Sequence, residues 1–297
     1  MPTRGSMNKK LLETAIRKSG GGDLALAEAD DLLRRLDLLD GTGRYQGLLS
    51  NIEKANDNNN FLAFVLEANF AWQFESKGLK LRYEVSQGID GSLIDFLRKT
   101  DTGDKVYYEM RLLQQEEKVA KEMNAQLKEG NTYDAMLNGD DESKAVVRLM
   151  NTILSKVQDS GGAPTKFFVV HEGAFNIVAI DVSALLLQTV DFFDCLLALH
   201  GDQAVPEHCR RNIFGLFQGA GQEDPTHIHE RAAKYNHIRS TLHGVLFLFK
   251  SRNDGLLTYE LQQHPVCNPS LLSLQKANAV HDDLVKAVPV RTRDVGS

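Results

Sequence analysis

Glu67 carries the chemistry hardest to explain as packing. Residues 61–77, FLAFVLEANFAWQFESK, have helical spacing, and the neighbours three, four and seven positions from Glu67 are Ala63, Phe64, Phe70, Ala71 and Phe74, all apolar. An ionised carboxylate in such a stripe is costly unless a cation, a hydrogen-bond donor or a raised pKa compensates it. Further on, the chain offers Asp95 in GSLIDFLRK and then Glu109 and Arg111 in KVYYEMRLL, two β-like runs joined by a turn. Three carboxylates and one cation can thus converge. The plainer alternative is that Glu67 meets Arg82 or Arg111 as a buried ion pair that only fixes packing.

Other candidates are weaker. His227, His229, His237 and His243 fall close together, but their spacing matches no zinc motif, and on a helix His229 and His237 share a face while His227 does not. Arg210, Arg211, Arg231, Lys234 and Arg239 lie on the same segment and suit backbone phosphates if it packs beside the active face. The glycines at 20–22 and 41–43 lack the strand and the Lys-Ser or Lys-Thr of a phosphate-binding loop. Asp101-Thr102-Gly103-Asp104 is too short for a calcium loop, and His171-Glu172 reads as a polar turn.

Several elements must position these groups. Residues 23–40 read as one amphipathic helix, capped by Asp23 and ended by Gly41. Residues 56–60 interrupt the pattern before the Glu67 helix, which stops near Gly78. Leu79, Leu81, Tyr83 and Val85 alternate with Lys80, Arg82, Glu84 and Ser86 as a half-buried strand. Strands over about 92–99 and 105–113 follow as a hairpin. A three-residue loop, Thr102–Asp104, puts Asp95 opposite Arg111 and on one face with Glu109. A charged helix over 114–129, the loop NGDDES, a helix over 145–158 and the linker DSGGAPT come next. KFFVVHEG and NIVAIDVS read as strands, 184–200 and 208–243 as mainly helical, and LHGVLFLFK and GLLTYEL as two late strands. Three parts result: an N-terminal helical segment (7–60), a core (61–183) and a mostly helical C-terminal part (184–297). Met1–Ser6, before a second Met, is read as a cloning remnant.

Composition narrows the function classes. Mean hydropathy of -0.30 with 25% charged residues is that of a soluble globular protein, and no apolar run approaches the ~20 residues that span a bilayer. Cys195, Cys209 and Cys267 make no disulfide framework and fit free thiols in the cytoplasm. The net charge of -6 offers no global attraction to phosphate backbones, so a nucleic-acid role needs a local basic face or a metal.

The order helix with Glu67, strand, strand with Asp95, strand with Glu109-x-Arg111, helix, strand resembles the PD-(D/E)xK phosphodiesterase superfamily over about residues 61–183. The resemblance implies an α/β, restriction-endonuclease-like α-β-β-β-α-β core and a metal-dependent nuclease, with DNA as the expected substrate. It implies that Asp95 and Glu109 ligate Mg²⁺ (or Mn²⁺), that Glu67 supports the metal or its water, and that Arg111 takes the place of the motif Lys. Arg111 is a departure, because guanidinium stays protonated and cannot act as a base, though it binds phosphate well. Ile94 is another, standing where the motif name has Pro. The rival expectation is an inactive member of the fold serving as a nucleic-acid-binding or assembly module. The C-terminal part is expected to complete the fold and to offer substrate contacts or a homodimer surface.

Overall fold

The computed structural model describes residues 7–113, 139–159, 161–167, 170–183, 190–250 and 255–287. The helix expected over 114–129 lies outside them. The protein is α/β. Its six strands, β1 (Leu81–Ser86), β2 (Leu93–Lys99), β3 (Lys105–Leu112), β4 (Ala174–Asp181), β5 (Gly244–Lys250) and β6 (Leu261–Cys267), form one sheet in sequence order. β3, β4 and β5 run parallel, and the β1–β2, β2–β3 and β5–β6 pairs are antiparallel. The two strands after residue 183 therefore extend the same sheet as the first four.

Alternation along the strands builds two cores, one on each face. Phe96, Tyr108, Met110, Ala179 and Leu246 face α1 (Lys9–Lys18), α3 (Ala29–Gly41), α4 (Gln46–Lys54) and α5 (Asn58–Glu75). Leu97, Tyr107, Val178, Ile180 and Phe247 face α6 (Gly139–Leu154) and α7 (Phe192–His200). α5 is the central helix. It is buried nearly all round, from Phe61 to Phe74, and starts where the Asp57 carboxylate accepts the Asn60 N–H at 2.9 Å.

Several expected boundaries shift, each for a visible reason. The helix expected over 23–40 is two, α2 (Asp23–Ala27) and α3, broken at Glu28. The Glu28 carboxylate instead accepts the N–H groups of Leu256, Leu257 and Thr258. Those donors are then lost to a strand ladder, so the second late strand begins only at Leu261, not at Gly255. α6 begins at Gly139, inside the stretch read as a loop, since acidic residues suit a helix N-terminus. No strand forms among the described residues of KFFVVHEG, where the Lys166 carbonyl is taken by the Ile89 N–H. Within 208–243 only α8 (Thr226–Lys234) and α9 (Asn236–Thr241) are α-helical. Residues 211–213 wrap around the Asp202 carboxylate, and Gly215, Gly219 and Gly221 follow.

The C-terminal helix α10 (Leu274–Ala287) is tied to β2 by a buried two-bond ion pair. Asp283 accepts from Arg98 Nε at 2.5 Å and from Nη2 at 2.7 Å. Among the described residues no helix is long and apolar enough to cross a membrane.

Candidate metal-binding carboxylate site

Three expected site residues meet where α5, β2 and β3 approach one another. Glu67 is 9% exposed, and its Oε2 accepts a hydrogen bond from the Tyr83 hydroxyl at 2.9 Å. It makes no ion pair with Arg82 or Arg111 among the described residues. Burial, then the Asp95 charge, pushes its pKa well above the usual carboxylate range, while the Tyr83 hydroxyl and Lys156 pull the other way.

Asp95 owes its position to two features of the sheet. The hairpin loop runs from Thr100 to Asp104, five residues rather than three, with Lys99 paired to Lys105 and Gly103 at φ 92°. That length is still odd, so parity holds. The register, carried on from Phe96–Tyr108, sets Asp95 opposite Glu109 and not opposite Arg111. On its other side the β1–β2 pairing skips the Glu84–Asp95 position, and Glu84 adopts φ 47°. This left-handed residue breaks the expected alternation: Leu81 and Tyr83 face the α5 side, whereas Val85 and its partner Ile94 join the opposite core. The Asp95 Oδ2 accepts the Met110 N–H at 2.7 Å. Burial and then the Glu109 charge raise its pKa to about 7, against the opposing pull of Lys156, the Met110 N–H and Lys166.

Glu109 is the most enclosed of the three, at 1% exposure. Its Oε1 accepts from Lys156 Nζ at 2.6 Å, with Lys166 Nζ at 3.5 Å, and its Oε2 is buried without a hydrogen-bond partner. Lys166 Nζ also donates to the Leu93 carbonyl at 2.6 Å. The cation at this site is therefore not Arg111, whose side chain is exposed beyond Glu109 on β3.

Lys156 and Lys166 were not singled out from the sequence, yet a signal existed. They flank the linker DSGGAPT, which closes as a small hairpin through the Gln158–Pro164 bridge and the Thr165 N–H to Val157 carbonyl bond. The lysines lie two residues outside that bridge on either side, so an antiparallel return brings both to Glu109. Tyr83 was also missed, because its fixed partner lies on another element.

The donor set suits a hard divalent cation: two carboxylates, Glu67 and Asp95, whose pKa values are raised by burial and by neighbouring carboxylate charge, beside Glu109 with its unpartnered buried oxygen. As the side chains stand, with Lys156 on Glu109, no three His, Cys, Asp or Glu among the described residues are gathered at metal-ligand spacing. The histidines do not form a second site: His227 and His229 are exposed, while His243 is buried and accepts the Asn176 N–H on Nδ1 at 3.0 Å. Arg239 is spent on the Gln218 and Ala232 carbonyls, and His171 and Glu172 sit in the exposed turn before β4. The three cysteines are free thiols. Compared with known proteins, the chain matches no family model, no curated protein and no solved structure.

Proposed function

We propose that this protein is a metal-dependent nuclease with a restriction-endonuclease-like core, hydrolysing phosphodiester bonds of DNA. The observation that carries the reading is the convergence of Glu67, Asp95 and Glu109 from a helix and two adjacent strands, with Lys156 and Lys166 on the same carboxylates. The element order from α5 to β4 fits it too: helix, three antiparallel strands, then α6 and a strand parallel to the third.

Asp95 and Glu109 would hold Mg²⁺ or Mn²⁺, with Glu67 in support. Bound there, the cation supplies Lewis acidity, making water a nucleophile near neutral pH and offsetting charge on the phosphate. The protein's own groups do the rest. Tyr83 fixes the Glu67 carboxylate through its hydroxyl. Asp95, with its pKa near 7, gives up a proton readily when a cation replaces it. Lys156 and Lys166 are near enough to the carboxylates to move onto a phosphate oxygen, the role the motif Lys would have. Arg111, exposed at the end of β3, is left to grip a neighbouring phosphate through its planar fork.

A second reading has one observation in its favour. Lys156 already pairs with Glu109, and among the described residues the carboxylates, though neighbours, are not gathered at metal-ligand spacing, as expected of an inactive nuclease-fold module that binds nucleic acid or assembles. The deciding experiment is cleavage of plasmid, linear and single-stranded DNA, and of RNA, with Mg²⁺ or Mn²⁺, for wild type beside Asp95→Ala and Glu109→Ala. The nuclease reading expects cleavage by wild type alone. Absence of cleavage, with no thermal shift on adding metal, would leave the binding module.

A further inference from the structure

Beside the carboxylates lies a cavity of about 550 Å³ that the proposed chemistry leaves unused. Its floor is Ile94, Tyr107 and Asn176, all buried, and its rim carries Gln87, Lys105 and His171, all exposed. The volume is within the range of sites that enclose a small molecule.

The cavity neighbours the site along both strands. Ile94 directly precedes Asp95. Lys105, Tyr107 and Glu109 are alternate residues of β3 and point to one face, about 7 Å apart at ~3.3 Å per residue. A cation, an aromatic ring and the carboxylate site thus follow one another along a single strand. Tyr107 packs in the core of this face, yet it also lines the cavity. Tyr45, Tyr83 and Tyr108 each pack against another aromatic ring, whereas Tyr107 has no such partner among the described residues. Asn176 donates its Nδ2 to the Thr241 carbonyl, leaving its amide oxygen as an acceptor. Glu172 adds one acid to the rim.

We propose that this cavity takes the base of an unpaired nucleotide, stacked on Tyr107 with its edge on the Asn176 and Gln87 amides and its phosphate on Lys105. The inference rests on the nuclease reading and narrows it: the substrate is single-stranded or locally opened nucleic acid, because a base inside a duplex is stacked on both faces and cannot enter.

The test is binding without catalysis: fluorescence anisotropy in EDTA, with a short labelled single strand and the blunt duplex of the same sequence. Wild type should bind the single strand at least about tenfold more tightly. Tyr107→Ala should lose about tenfold on the single strand only, Tyr107→Phe should keep the affinity, and Lys105→Glu should weaken both and lower the salt slope by about one. Lys105 is exposed, so that variant reports even if Tyr107→Ala does not fold. Equal affinity for the two substrates, or affinity unmoved by Tyr107→Ala and Lys105→Glu, overturns the proposal. A Tyr107-dependent preference without metal-dependent cleavage keeps the cavity and sinks the nuclease reading. Asp95-dependent cleavage with no effect of Tyr107→Ala does the reverse.

Discussion

Replacing Asp95 by Asn should stabilise the protein at neutral pH. The Asp95 carboxyl is raised from an ordinary 3.8 to about 7 by burial and by Glu109. Between those values the folded protein holds a proton that the unfolded chain has released, so stability falls as pH rises through this window and levels off above 7. At ~1.4 kcal/mol per pH unit the full cost at pH 8 is about 4 kcal/mol. Asp95 keeps some contact with solvent, which screens the charge, and about 2–3 kcal/mol is the working expectation. Asn is the same size, retains an oxygen for the Met110 N–H, and removes the charge next to Glu67. Urea unfolding in EDTA at several pH values from 4 to 8 measures the difference between variant and wild type, in which titrating groups away from the carboxylate site cancel. The gap should open between pH 4 and 7 and stay constant beyond. A variant less stable than wild type at pH 8, or a gap that does not change with pH, would refute the reasoning.

Three further outcomes can be checked by the same unfolding measurements. Lys156→Ala leaves the Glu109 carboxylate, 1% exposed, with only the more distant Lys166, and should cost about 2–3 kcal/mol. Arg98→Ala strands Asp283 beneath α10 and should cost about 3–5 kcal/mol, with the C-terminal helix becoming the first site of limited proteolysis. His243 is buried neutral, its pKa lowered to about 4 mainly by burial, so stability present above pH 6.5 is lost as pH falls toward 4, by about 3 kcal/mol. His243→Asn should remove that acid limb, and an unchanged acid limb in the variant would show that other groups set it.

What could be read beforehand followed local periodicity. Glu67 stood out because its helical neighbours are all apolar, and the hairpin carrying Asp95 and Glu109 showed as alternation around a Gly-containing turn. Parity alone placed those two acids together, whichever odd loop length the turn chose. The loop length itself is not legible in the sequence, so the expected partner of Asp95, Arg111, gives way to Glu109 in the structure. The long-range partners were hidden: Lys156 meets Glu109 only because the 158–164 loop folds back, and Tyr83 meets Glu67 across helix and strand. The left-handed Glu84 contradicts its sequence pattern, and such local exceptions concentrate where a site demands a geometry that propensity does not supply. Glu28 shows the same limit in a structural role, since one carboxylate both ends a helix pattern and delays a strand more than two hundred residues away.

The most direct test of the carboxylate site is a calorimetric titration of Mn²⁺ at pH 6.5, run in two buffers of different ionisation enthalpy. Wild type should bind Mn²⁺ and release a proton as it does so, because Asp95 is mostly protonated at that pH, and Asp95→Ala should abolish both. Binding that is absent from wild type, or that persists unchanged in Asp95→Ala and Glu109→Ala, would contradict the claim that these residues form a metal site.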